Sequence, residues 1–128
     1  MEEITANVNW LAVIVGAVLS FLLGWLWYSP MLFGTKWAEG VGVELGAASA
    51  MPVGAMVSQA VAILLLAWLF GVTAGNDALL TIILVVLAIA AFIFSGGMFT
   101  KKSMYAVYTE TGYIIAIAVV MFVVQAVL

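Results

Sequence analysis

The stretch NWLAVIVGAVLSFLLGWLWYSP, Asn9 to Pro30, contains no charged residue. A hydrocarbon core about 30 Å thick is crossed by roughly 20 apolar residues in helix, so Asn9 to Tyr28 reads as a membrane span. The rest of the chain agrees. Of its 128 residues, 68% are hydrophobic and 7% charged, whereas a soluble domain carries roughly 25% charged residues. Too little polar surface is available for a water-facing shell. A secretory signal needs a basic start. Met1-Glu2-Glu3 is acidic, so the first apolar run is expected to stay in the mature protein.

Three further runs have the required length, about Pro52 to Val72, Ala78 to Phe99 and Ser103 to Leu128. The expected fold is therefore all-α, a four-transmembrane-helix bundle of two antiparallel hairpins, in one integral membrane domain over residues 1–128. The punctuation fits. Pro52 suits a first helical turn, where its missing N–H costs nothing. Gly71 and Gly75 suit a helix end. Asn76 or Asp77 is expected to cap the third long helix and Ser103 the fourth. Short links at 73–77 and 100–102 favour the two hairpins. The segment EGVGVELGAASA after Ala38 reads as a weakly structured, glycine-rich loop within 34–51.

An even number of spans puts both termini on one side. Lys36, Lys101 and Lys102 then all fall on the other, and lysines mark the cytoplasmic face. The expected location is the bacterial cytoplasmic (inner) membrane. Both termini face outward, and the loops carrying Lys36 and Lys101-Lys102 are cytoplasmic. Trp25, Trp27, Tyr28 and Trp37 lie where the first span leaves the hydrocarbon. Their rings combine an apolar body with a polar tip, so membrane-interface anchoring is the expected role. Pro30 ends the helix.

The pattern Asn9-Trp10-Leu11-Ala12-Val13, then Gly24, Trp27-Tyr28-Ser29-Pro30, Phe33-Gly34 and Trp37 resembles the start of a family of small four-span bacterial membrane proteins, domain of unknown function seventeen sixty-one. Phe99 and Glu110-Thr111-Gly112-Tyr113 are similar to a later family stretch. The chain departs from it at Lys101-Lys102, where a glycine and an arginine are frequent. The resemblance implies a four-helix membrane fold and no assigned activity.

Helices in lipid meet through small residues. Ala12, Gly16, Ser20 and Gly24 recur every four residues on one arc of roughly 120°. They form a packing face, serving either the bundle itself or an oligomer. Gly54, Ser58 and Ala62 repeat the rhythm on the second span. Ionisable residues inside a span are costly and are functional candidates. Glu110 is the one that qualifies. Antiparallel spans bring Gln59 to its depth, with Tyr113, Tyr28 and Ser95 nearby, as a polar cluster in the inner half. Three readings stand for Glu110: it is structural, reaching water, pairing with Lys101 or Lys102 or bonded by Tyr and Gln groups; it exchanges protons as a small exporter requires; or it binds a ligand or lipid headgroup. On the outer side, Asn9 and Gln125 are placed to form an amide pair.

The absence of His and Cys removes the usual bases, nucleophiles and metal ligands. No enzyme, metal or cofactor is expected. The absence of Arg and of a basic patch argues against nucleic acid. The expected partners are the lipid bilayer and a second copy or a larger membrane protein. The reading that follows is a small multi-pass structural or accessory subunit. The alternative is a small homo-oligomeric transporter or channel built around Glu110.

Overall fold

A computed structural model describes residues 2–29, 31–42 and 53–128. The expectations for Pro30, for Pro52 and for residues 43–51 lie outside the described residues. Among the described residues, six helices follow in order: α1 (Glu2–Thr5), α2 (Trp10–Trp27), α3 (Gly34–Val41), α4 (Val53–Gly75), α5 (Leu79–Phe99) and α6 (Met104–Val127). Four of these, α2, α4, α5 and α6, are long and apolar enough to cross a membrane. A helix satisfies all its backbone groups internally, which an apolar surrounding demands.

The helix ends show which side chains set the boundaries. The Asn9 carboxamide oxygen accepts from the Ala12 N–H at 3.2 Å and starts α2. Asn9 is thus a helix cap rather than half of the expected amide pair. The Ser103 hydroxyl accepts from the Ala106 N–H at 3.1 Å and starts α6, as expected. At α5 the expectation fails. Its N-cap is Ala78, with no side-chain cap bond. Asp77 instead takes a left-handed turn, φ 54°, and Asn76 donates backwards to the Val72 carbonyl at 2.8 Å. The cause is that α4 continues to Gly75, past the expected end near Val72. The remaining link is then too tight to serve a cap.

The glycine-rich segment departs from expectation at its start. Residues 39–41 belong to α3, and α3 packs against α6. Gly42 closes α3 at φ 80°, a conformation glycine adopts at no steric cost.

Helix α2 packs on both α4 and α6, whereas α5 packs chiefly on α6. The small stripe of α2 faces α6 within the same chain. A side chain at Gly16 would touch Met121, and one at Gly24 would strike the Tyr113 hydroxyl at 2.5 Å. Ala12, Gly16 and Ser20 are buried. The two contacts, Gly16 with Met121 and Gly24 with Tyr113, also make α2 and α6 antiparallel. The shared core holds Val13, Ile63, Phe70, Ile82, Ile117 and Met121. Lipid tails are as apolar as these side chains, so their contribution comes from close packing rather than from escape from water. The outer faces remain apolar and open; Leu80 and Phe92 are each 80% exposed.

Candidate functional site

The site begins with the turn that leaves α2. Tyr28 N–H donates to the Gly24 carbonyl at 3.1 Å and ends the helix. The chain then folds back on itself. Phe33 N–H donates to the Trp27 carbonyl at 3.2 Å, and Gly34 N–H to the Ser29 carbonyl at 2.9 Å. The backbones approach so closely that a Cβ on Gly34 would collide with the carbonyls of Tyr28 and Ser29. Only glycine fits there.

This fold-back delivers α3 to the start of α6. Ser103 N–H donates to the Gly40 carbonyl at 3.2 Å. A Cβ on Gly40 would run into the Ser103 hydroxyl and Ala106. Trp37 is thereby aimed at α6, where its indole N–H donates to a Glu110 carboxylate oxygen at 2.9 Å. Lys102 approaches the same carboxylate from the α5–α6 link, at 2.9 and 3.0 Å to its two oxygens. The Glu110 side chain is 17% exposed and that of Lys102 31%. The ion pair therefore sits at the rim of the bundle rather than deep within it.

Aromatic rings fill the space behind the carboxylate. The Tyr28 ring stands edge-on to Trp37 at 4.8 Å and to Tyr113 at 5.5 Å. Both distances suit the attraction of a ring edge for a ring face. The Tyr113 hydroxyl donates to the Ser20 carbonyl at 2.7 Å, an approach that Gly24 permits. Trp27 packs on Phe33 at 4.8 Å, and its indole N–H donates to the Thr109 carbonyl at 2.9 Å. Lys36 lies 5.5 Å from the centre of the Tyr105 ring. All three lysines of the chain thus lie at this end of the bundle.

Of the residues expected in the polar cluster, Glu110, Tyr28 and Tyr113 come together. Gln59 is exposed on α4 but interacts with the Tyr113 hydroxyl. Ser95 stands apart: it is exposed on α5 and lines a shallow apolar groove with Phe94, Met98 and Phe99. Of the residues expected as interface anchors, Trp25 points outward at 70% exposure. Trp27, Tyr28 and Trp37 turn inward and hold α6. The reason is geometric. Trp27 and Tyr28 face α6 from the end of α2, and the fold-back at Gly34 turns Trp37 onto it.

Sequence reasoning read Trp37 as an anchor and named Lys102 as one of two possible partners. It missed the Thr109 carbonyl as an acceptor and the need for glycine at 34 and 40. Close approach between segments leaves no pattern in residue spacing; the family pattern includes Gly34, but without a reason for it, and nothing in the chain marked Gly40.

Among the described residues, no group of His, Cys, Asp or Glu could hold a metal ion. The site has one carboxylate, and both its oxygens are occupied by donors. Trp27→Phe is expected to lower stability by about 1 kcal/mol, the typical net worth of one hydrogen bond. A thermal melt in detergent measures it, and an unchanged midpoint would mean that the indole bond to α6 contributes nothing.

Four apolar helices with a polar, aromatic brace at one end define a small membrane-spanning helical protein. The chain belongs to the family described as Protein of unknown function (DUF1761), which matches residues 11–126. No curated protein and no solved structure matches the chain.

Proposed function

We propose that the protein is a non-catalytic membrane component, a structural or accessory subunit of a membrane assembly. The observation that carries this reading is the state of Glu110. A proton-coupled carrier needs a carboxylate free to gain and lose a proton in a cavity. Glu110 is instead clamped between the Lys102 ammonium and the Trp37 indole. Its role is to tie α3 and the α5–α6 link to α6. A cavity of about 370 Å³ lies away from this carboxylate between α4, α5 and α6, and is lined by apolar side chains such as Phe70, Ile82 and Val86. It offers a passing ion no polar group.

In the same reading, the lysine-bearing end faces the cytoplasm of a bacterial inner membrane and the termini face outward. The gathering of Lys36, Lys101 and Lys102 at one end supports this orientation. The competing reading is a homo-oligomeric transporter that uses Glu110.

Gentle purification from native membranes, followed by native mass measurement, separates the two. A stoichiometric larger partner is the expected result. An assembly containing this chain alone, together with proton-coupled flux in vesicles that Glu110→Gln abolishes, would replace the subunit reading by the transporter.

A further inference from the structure

The face that α5 buries tapers along the helix, from Ile82 and Val86 through Ala90 to Gly97. Small residues let helices approach closely. At the Gly97 end α6 does so, with the Val107 side chain against the space a Cβ would take. At the opposite end the bulkier residues keep α6 away, and the cavity of about 370 Å³ opens there as a slot. Phe70, Ile82 and Val86, all buried, form its floor, and the exposed Ile83, Val119 and Phe122 form its walls. On α6 its lining runs from Ile115 to Val123, about 12 Å of helix. The slot is therefore elongated along the helix axes, in the half of the bundle nearest the chain termini. Spread over about 12 Å, its volume leaves a cross-section of roughly 30 Å².

We infer that this slot holds one acyl chain of a membrane lipid, drawn from the leaflet next to the termini. Its walls belong to helices long and apolar enough to cross a membrane, so its mouth is continuous with the lipid-facing surface. Water does not fill it. A buried water needs two to four polar partners, and every side chain around the slot is apolar. Apolar cavities stay dry and take up hydrocarbon instead. Left empty, the slot would forfeit dispersion contacts along its whole floor. A helix from another protein is too thick to enter. With its side chains it is about 10–12 Å across, so it could cover the mouth without reaching Phe70. A hydrocarbon chain is thin, linear and already aligned with the helices. The inference is independent of the subunit reading, since a lipid-filled slot suits a subunit and a free protein alike.

The full chain is placed in phosphatidylcholine vesicles with a trace of phosphatidylcholine carrying a diazirine in one acyl chain. Irradiation converts the diazirine to a carbene, which inserts into nearby C–H bonds, and peptide masses locate the adducts. Leu84 is the internal control. It neighbours Ile83 on α5 at the same depth but does not line the slot, and it is 70% exposed against 45% for Ile83. Exposure alone would make Leu84 the better target. The expected result is the reverse order, with more label on Ile83 and Val119 than on Leu84. Moving the diazirine from the glycerol end of the chain to its methyl end is expected to shift the adducts from Ile83 and Phe122 to Leu87 and Ile115. Ala118 also lines the slot, and Ala118→Phe is expected to fill it and lower the label on Ile83 to below that on Leu84. The shift of adducts tests the parent chain, whatever this variant does to folding. The inference is overturned if Leu84 takes as much label as Ile83 in the parent, or if the adducts do not move with the diazirine. A slot that takes no label while Leu84 does would overturn it too, and would mean that another helix covers the mouth or that the walls close on themselves.

Discussion

Gly34→Ala is expected to cost about 3 kcal/mol, at the upper end of the range for forcing extra atoms into a packed site. The added methyl would overlap the backbone carbonyls of Tyr28 and Ser29. A flexible side chain could swing aside, but a carbonyl held in a turn cannot. Relief requires opening the bonds from Phe33 N–H to Trp27 and from Gly34 N–H to Ser29. With them goes the direction in which α3 leaves the turn. Trp37 then loses its aim at Glu110. Two measurements follow the damage: a lower unfolding midpoint in detergent, and faster trypsin cleavage after Lys36 as α3 comes free. Gly96→Ala is the control. A Cβ there meets nothing within 4 Å, and alanine is the better helix former. If Gly34→Ala melts and resists trypsin like the parent, the fold-back does not position α3.

The second large effect is expected at the Lys102–Glu110 pair. Lys102→Met leaves the carboxylate with one donor, the Trp37 indole. At 17% exposure Glu110 cannot turn fully to water. Removing one member of a buried pair costs about 3–5 kcal/mol. Here partial solvent contact reduces the expected loss to about 2 kcal/mol. The reverse change is milder. In Glu110→Gln the side-chain oxygen still accepts from Trp37, and Lys102, more exposed than its partner, extends into water, so about 1 kcal/mol is expected. The double variant Lys102→Met with Glu110→Gln should cost less than the two single losses combined, because neither charge is left stranded. Equilibrium unfolding of the four species measures the coupling. Strict additivity would show that the two side chains do not interact, and the brace would then rest on the aromatic rings alone.

Both predictions concern contacts between the segment after α2 and the first turns of α6, and the chain discloses the two partners unequally. Glu110 is legible because a carboxylate within an apolar run is rare. Tyr28 and Tyr113 are legible as its neighbours by counting helical rise. That Trp37 would be its hydrogen-bond donor is not legible. It depends on a reversal of direction at Gly34, and a glycine seven residues past Trp27 looks the same in a loop as in a fold-back. Ser95 shows the opposite error. Its depth matches the cluster, but depth fixes only one coordinate. The rotation of α5 about its axis turns Ser95 outward, and that rotation is set by Ile82, Val86, Ala90 and Gly97, which are buried on the other side.

By itself, the sequence determines the four spans, their approximate limits, the Ser103 cap and the gathering of lysines at one end. These follow from local quantities: hydropathy over about 20 residues, a hydroxyl at a helix start, charge beside a span. Only the tertiary structure decides which face of each helix is used. It turns the α2 stripe toward α6 and brings Trp37 and Lys102 onto Glu110. The physical reason lies in the apolar surrounding. Helices in lipid gain nothing by hiding apolar surface from one another, so hydropathy is nearly uniform around each helix and carries no record of which side packs. That choice is made by close approach and hydrogen bonds between residues far apart in the chain.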